Sequence, residues 1–301
     1  MKQKYIEKRF SAESCNLIHV INDIVDDYQA EGYTLTTRQV YYQLVARDII
    51  ENTLNSYKRI AGLINDGKLA GAIDWDALED RTREFKTRAH WDDPADIIMA
   101  SANQYHEDLW GNQEHRVFVI IEKEALVGVL EKLCHRYDVP LLAARGYPSG
   151  TVLREFAQNH LLPNMTRGVF CKILHLGDHD PSGIDMTRDL KDRLDMFSEI
   201  YSGSIHIHRI ALNMNQIEEI NPPENPAKST DARFAGYRAL YGTSSWELDA
   251  LTPSYLNNLV EGHIKNYIDE FHWERKVEKI SKIQKRIKSF ANNFDNGETS
   301  L

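Results

Sequence analysis

The chain has 301 residues, enough for two domains and more than one ordinary core requires. Its 42% hydrophobic and 27% charged residues exclude a disordered or fibrous chain, and no apolar run approaches the ~18 residues of a membrane span. A formal net charge of −9 excludes a surface that attracts polyanions everywhere, so any nucleic-acid binding needs local basic charge or a bridging divalent metal.

The opening MKQKYIEKRF lacks the apolar core of a signal peptide, which points to the cytoplasm. From Ser11 to Ala30, Leu17, Ile18, Ile21, Ile24, Val25 and Tyr28 recur at helical steps, and Gly32 closes the helix. Thr36 with Gln39 three residues on predicts a capping box opening a second helix, TTRQVYYQLVAR. At 100° per residue, Val40, Tyr41, Leu44 and Val45 share the core face of that helix. Tyr42 falls on the other side, one turn from Arg38 and from Ala46, and is expected to be exposed. NSYKRIAGLINDGKLAG reads as a third helix, with Ile60, Leu63 and Ile64 inward and Lys58, Arg59 and Lys68 outward as phosphate contacts. AIDWDALEDRTRE follows as a short extended or turn segment. Three helices and such a segment suit a helix-turn-helix or winged-helix module over residues 1–90, and other small helical domains as well.

A connecting segment, 91–114, carries one predicted helix in ADIIMASANQYHEDLW. The pattern then changes. RVFVIIE, VPLLAARG, KILHLGD and SIHIHRIAL read as strands, and helical stretches separate them. That alternation predicts an α/β domain with a parallel sheet over 115–220. Residues 221–301 form a helical C-terminal extension, ending in RKVEKISKIQKRIKSF. This basic amphipathic helix can touch DNA, pair with another helix, or simply present a solvated charged face. Cys15, Cys134 and Cys171 are widely spaced and read as buried free thiols of a reducing compartment.

In open parallel sheets, ligands bind beyond the carboxyl ends of the strands. Glu122 closes one predicted strand and Asp178 another, with Asp180 two residues later on the same loop. Converging carboxylates repel unless a cation sits between them, and an all-oxygen set selects Mg²⁺ or Mn²⁺ over zinc. The competing reading of Asp-x-Asp is a turn with helix-capping duty. His175 reads as a core residue, and His179 as a phosphate contact. Lys123 either assists with substrate charge or faces solvent. Arg145 and Gly146 are placed to approach a DNA backbone. Lys228 and Arg233 lie on a Pro-bounded loop and either position phosphate or are structural.

VFVIIEKEAL, AARGYPSGTVLREF and ILHLGDHDPSGIDM together resemble the Toprim domain of the topoisomerase VI A subunit and the related meiotic double-strand-break transesterase. The resemblance covers about residues 115–212 and carries three motifs in order. It implies that Glu122, Asp178 and Asp180 bind Mg²⁺. SWELDALTPSYLNNLVEGHI resembles a later Glu-x-x-Ala-Leu segment, which implies Glu247 or Asp249 near the metal. RQVYY matches that group's Arg-x-x-Tyr-Tyr-like motif at Arg38, Tyr41 and Tyr42, whose second aromatic is the catalytic tyrosine. Double-stranded DNA is then the substrate, a homodimer is implied in which one protomer's tyrosine meets the other's metal site, and a separate ATPase subunit is a possible partner. A phenol needs help to attack, and Arg38 can supply part of it by holding the phosphate. Two alternatives stand: a Toprim nuclease using metal-activated water, and a noncatalytic DNA-binding protein.

Overall fold

The computed structural model describes residues 1–78 and 88–295. Three helices open the chain: α1 (Ala12–Ala30), α2 (Thr37–Ala46) and α3 (Leu54–Leu69). Each begins where a hydroxyl can cap it. Ser11 accepts from Ser14 N–H, Thr53 accepts from Ser56 N–H, and Thr36 with Gln39 forms the expected reciprocal capping box. Their apolar stripes meet in one core that includes Ile21, Ile24, Leu44, Ile60 and Ile64.

After α3 the chain turns at Trp75–Ala77, in keeping with the turn read at AIDWDAL; residues 79–84 of that segment lie outside the described residues. Among the described residues of this unit, backbone pairing is limited to isolated bridges, Lys4 with Ala70 and Leu35 with Leu78. Helix α4 (Pro94–Gln104) supplies the helix expected in the connecting segment.

The alternating region builds a four-stranded parallel sheet from β1 (His115–Ile121), β2 (Leu141–Ala143), β3 (Phe170–Leu176) and β4 (Ile205–Ala211). The strand order is β2-β1-β3-β4. Successive crossovers carry α5 (Val127–Arg136), then α6 (Gly150–Phe156) and α7 (Leu162–Met165), then α8 (Pro181–Ser198). Side chains alternate across β1: Val117, Val119 and Ile121 enter one core, and Phe118 and Ile120 enter the other. The sheet is thus buried on both faces, as parallel sheets require.

Beyond the sheet lie α9 (Met214–Ile220), the two-residue strands β5 (Asn225–Pro226) and β6 (Ser244–Ser245), and α10 (Phe234–Tyr241). Then come α11 (Pro253–Lys265) and the long α12 (Glu270–Asp295). The basic helix α12 packs on α4, where Lys276 and Lys279 reach Glu107 at 3.1 and 2.8 Å. Of the readings open for it, pairing with another helix is the one realised within the chain.

One cysteine departs from expectation. Cys134 and Cys171 are buried, and burial pushes both thiols up to about 12, but Cys15 is exposed. Cys15 precedes Leu17 by about 200° of helix rotation, so the stripe that buries Leu17 turns Cys15 outward.

Candidate active site

The strand order reverses between β1 and β3, because β1 connects outward to β2 while β3 connects the other way to β4. Such a reversal opens a crevice at the carboxyl ends of the two strands. Glu122 stands one residue past β1, and Asp178 two residues past β3. The Glu122 N–H donates to Leu176 O at 2.9 Å, and its carboxylate accepts the Asp178 N–H at 2.9 Å.

Close packing fixes this loop. A Cβ on Gly177 would lie 3.0 Å from Glu122 Oε2, and one on Gly183 would lie 2.2 Å from the Asp178 carbonyl oxygen. Only glycine lets the first turn of α8 come this near. Asp180 caps that helix, accepting from Gly183 N–H at 2.6 Å and from Ser182 Oγ at 2.8 Å. Helix capping is therefore part of what Asp180 does. Asp178 instead faces the C-terminal extension: its Oδ1 accepts Leu248 N–H at 2.8 Å.

Lys123 joins the two halves of the centre. Its ammonium lies 3.0 Å from Asp178, 2.7 Å from Glu247 and 2.9 Å from Asp249. Burial alone would push this amine down, yet Asp178, Asp249 and Glu247 outweigh it and hold the group charged. Lys123 is thus not solvent-facing, one of the two alternatives read for it. Arg38 approaches the same carboxylates from α2, with an ion pair to Glu247 and its Nε 3.1 Å from Asp249.

Tyr42 is the main correction. It was expected on an open face, but it is 4% exposed. The turn Leu248–Ala250 packs on α2, and Tyr42 and Ala250 both belong to the helical unit's core. Burial raises the phenol above its ordinary range, and Glu247 adds to the rise against the pull of Arg38, whose guanidinium lies 5.9 Å from the ring centre. Tyr41 packs as expected, its hydroxyl donating to Asn52 Oδ1 at 2.9 Å and Thr53 O at 3.1 Å.

His179 is also corrected. It is 1% exposed, boxed by Tyr237, Tyr241 and Trp246, and its Nδ1 shares a 2.8 Å hydrogen bond with the Tyr237 hydroxyl. Burial lowers it to about 4, so it is neutral at physiological pH and offers phosphate no charge. The box forms because His179 pairs its backbone with Trp246, a residue remote in sequence. His175 is a core residue as expected.

The other basic candidates scatter. Lys68 is turned inward, donating to Trp75 O at 3.2 Å and Leu78 O at 3.1 Å, so it is not an outward phosphate contact. Arg59 is exposed and paired with Glu13 at 2.7 Å, and Lys58 and Lys228 are exposed. Arg145 reaches the rim, where its N–H donates to Glu122 O and its side chain pairs with Glu124. Arg233 pairs with Asp185 and Asp231 at 2.9 and 3.1 Å.

Arg209, near the end of β4, escaped the sequence reading. It donates from Nη2 to the carbonyls of Gly177 at 2.9 Å and Asp178 at 2.6 Å, and from Nη1 to Gly183 O at 2.8 Å. It thereby grips the acidic loop through its backbone. The signal was an arginine inside the strand run IHIHRIAL, where a charge needs buried partners.

Five carboxylates, Glu122, Asp178, Asp180, Glu247 and Asp249, thus gather with three cations, Arg38, Lys123 and Arg209, a surplus of two negative charges. Burial raises the Glu122 carboxyl well above its ordinary range, and Asp178 and Asp180 add to the rise. Asp249, 1% exposed, keeps a buried Oδ1 without a hydrogen-bond partner among the described residues. Among the described residues no three acidic, imidazole or thiol side chains stand in metal-ligand geometry. Every donor in the cluster is oxygen, the donor type that a hard divalent cation takes. The chain matches no protein-family model and no curated protein.

Proposed function

We propose that this chain is a DNA-breaking transesterase of the kind its motifs resemble, with a winged-helix-like unit carrying the nucleophile and a Toprim-like unit carrying the acidic centre. One observation supports this above the others. Arg38, one helical turn before Tyr42, shares Glu247 and Asp249 with Lys123, which in turn touches Asp178, so tyrosine and carboxylates border one site.

In the reaction, the Tyr42 oxygen forms a bond to phosphorus while the bond from phosphorus to a sugar oxygen breaks. The phenol loses one proton and the departing sugar oxygen takes one up. Arg38 steadies the phosphate oxygens. Mg²⁺ or Mn²⁺, held by Glu122, Asp178 and Asp180, supplies charge neutralisation when bound. Arg209 keeps the two aspartates at fixed spacing, and Lys123 orients Glu247 and Asp249. The arrangement within one chain is a resting one, because a buried phenol beside an ionised carboxylate keeps its proton. Double-stranded DNA entering the crevice draws Arg38 away from Glu247 and frees Tyr42, which in the homodimer is then presented to the acidic centre of the partner protomer. A separate ATPase subunit belongs to this reading only if the broken strand is used for strand passage.

The burial of Tyr42 favours a second reading, a Toprim-type endonuclease that hydrolyses DNA with metal-activated water. Incubation with plasmid and Mg²⁺, followed by denaturation, separates the two. The transesterase leaves protein covalently on DNA with wild type and none with Tyr42→Phe; undiminished cleavage by Tyr42→Phe without any adduct would establish hydrolysis instead. Absence of Mg²⁺-dependent cleavage in either protein would leave a noncatalytic binding role.

A further inference from the structure

A cleft of about 260 Å³ adjoins Tyr42, bounded by the rings of Tyr41, Tyr42 and Tyr57 and by Leu54, Asn52 and Asn225. Tyr41 sets the aromatic wall. Its ring lies 5.2 Å from that of Tyr42 at 66° and 5.3 Å from that of Tyr57 at 84°, so faces and edges alternate along the wall. Leu54, the first residue of α3, lines the cleft while 68% exposed. A single exposed leucine is ordinary. One that rims an aromatic cleft beside a candidate nucleophile extends its apolar wall toward solvent.

The polar wall is amide. Asn52 Nδ2 donates to Asn225 Oδ1 at 2.8 Å and to Glu224 O at 2.9 Å, while Asn225 Nδ2 is buried without a hydrogen-bond partner. Arg38 and Glu247 line the remaining side, which makes the cleft continuous with the acidic centre. Aromatic rings, carboxamides and a guanidinium at the boundary are the elements that bind unstacked bases. The volume lies below the ~300–1,000 Å³ of a drug-sized ligand site, which suits one base and excludes a base pair.

We propose that this cleft receives a single nucleobase of a DNA strand, turned out of its stack, beside the phosphate presented to Tyr42. The inference rests on the reading of Tyr42 given above and assigns to its surroundings a strand-positioning role. Tyr57 and Leu54 hold the base by contact, and the Asn52–Asn225 pair faces its polar edge. A phosphodiester whose neighbouring base is seated here cannot slide past the tyrosine.

The test uses the full chain carrying Tyr42→Phe, which keeps the ring and removes the chemistry, in buffer without divalent cations. A short single strand with one fluorescent purine analogue reports stacking by quenching and affinity by anisotropy. Quenching is expected, with Tyr57→Ala and Leu54→Ser each abolishing it and weakening affinity about tenfold, and Tyr57→Phe retaining both. Should Tyr57→Ala fail to fold, the exposed Leu54→Ser carries the comparison. Quenching that survives Leu54→Ser, equal affinity for a strand lacking that base, or equal competition by a free nucleoside monophosphate would each overturn the proposal. The covalent-adduct assay on wild type is scored separately, so failure of the tyrosine chemistry and failure of the base cleft give different patterns.

Discussion

The two ends of the parallel sheet solve opposite electrostatic problems. At the carboxyl ends, Glu122 and Asp178 sit with three further carboxylates, and Lys123, Arg38 and Arg209 are drawn in among them. At the amino ends the side chains are His115, Phe170, Lys172, His206 and, farther along β4, His208, with Tyr267 from beyond α11. There burial lowers the three imidazoles and the amine, and Lys172 rests 5.6 Å from the ring centres of both Phe170 and Tyr267. The first end pairs its charges in a network, although burial raises the Glu122 and Asp178 carboxyls. At the second, burial favours the neutral forms of these four groups. A charge network retained at the cost of desolvation marks the end where chemistry is to be sought.

Removing Lys123 should break this contrast most forcefully. Lys123→Met leaves Asp178, Glu247 and Asp249 without their shared ammonium, and a loss of about 3–5 kcal/mol in unfolding free energy is expected from denaturant titration. Mg²⁺ should restore part of that loss; a variant indifferent to Mg²⁺ would count against a cation site at this end. Arg209→Ala should cost about 2–3 kcal/mol by releasing three loop carbonyls, with Arg209→Lys recovering a fraction, and should weaken Mn²⁺ binding measured by calorimetry. Unaltered Mn²⁺ affinity would reduce Arg209 to a stabilising role alone.

Glu122 and the three amino-end imidazoles should contribute pH dependences of opposite sign to stability. Glu122 binds its proton more tightly folded than unfolded, so its contribution is present below the ordinary carboxylate pKa and is lost as pH rises through the elevated folded value. His115, His206 and His208 bind protons less tightly when folded, so stability falls as pH drops below about 6.5, their ordinary value. Glu122→Gln should therefore abolish a decline of order 1 kcal/mol on the rising side in metal-free denaturation curves. The smallest effect belongs to His206→Gln, which should flatten the acid side by a few tenths of a kcal/mol and leave Mg²⁺ stabilisation as in wild type.

Much of the sheet's carboxyl end was legible because strand polarity fixes where a run such as VFVIIE delivers its last residue. Glu122 and Asp178 needed no more than that. The fate of Tyr42 was not legible, since helical rotation separates its side of α2 from the local core but does not say what covers that side. The turn Leu248–Ala250, which packs on α2, lies some two hundred positions away; Arg38 and Glu247 themselves are 209 residues apart. His179 was misread for the same reason: a loop histidine looks exposed until Trp246 and Tyr237 arrive from later in the chain. Lys68 looked outward on helical phase, yet its long stem let the ammonium turn back to carbonyls beyond the helix end.

Glu247 belongs to two masters, the arginine of the helical unit and the lysine of the sheet. Its carboxylate orients to suit both at once, and because the two cations repel across it, displacing either leaves Glu247 more wholly to the other. The joint between the helical unit and the sheet thus turns on a single shared carboxylate, and a change on either side of it is felt on the other.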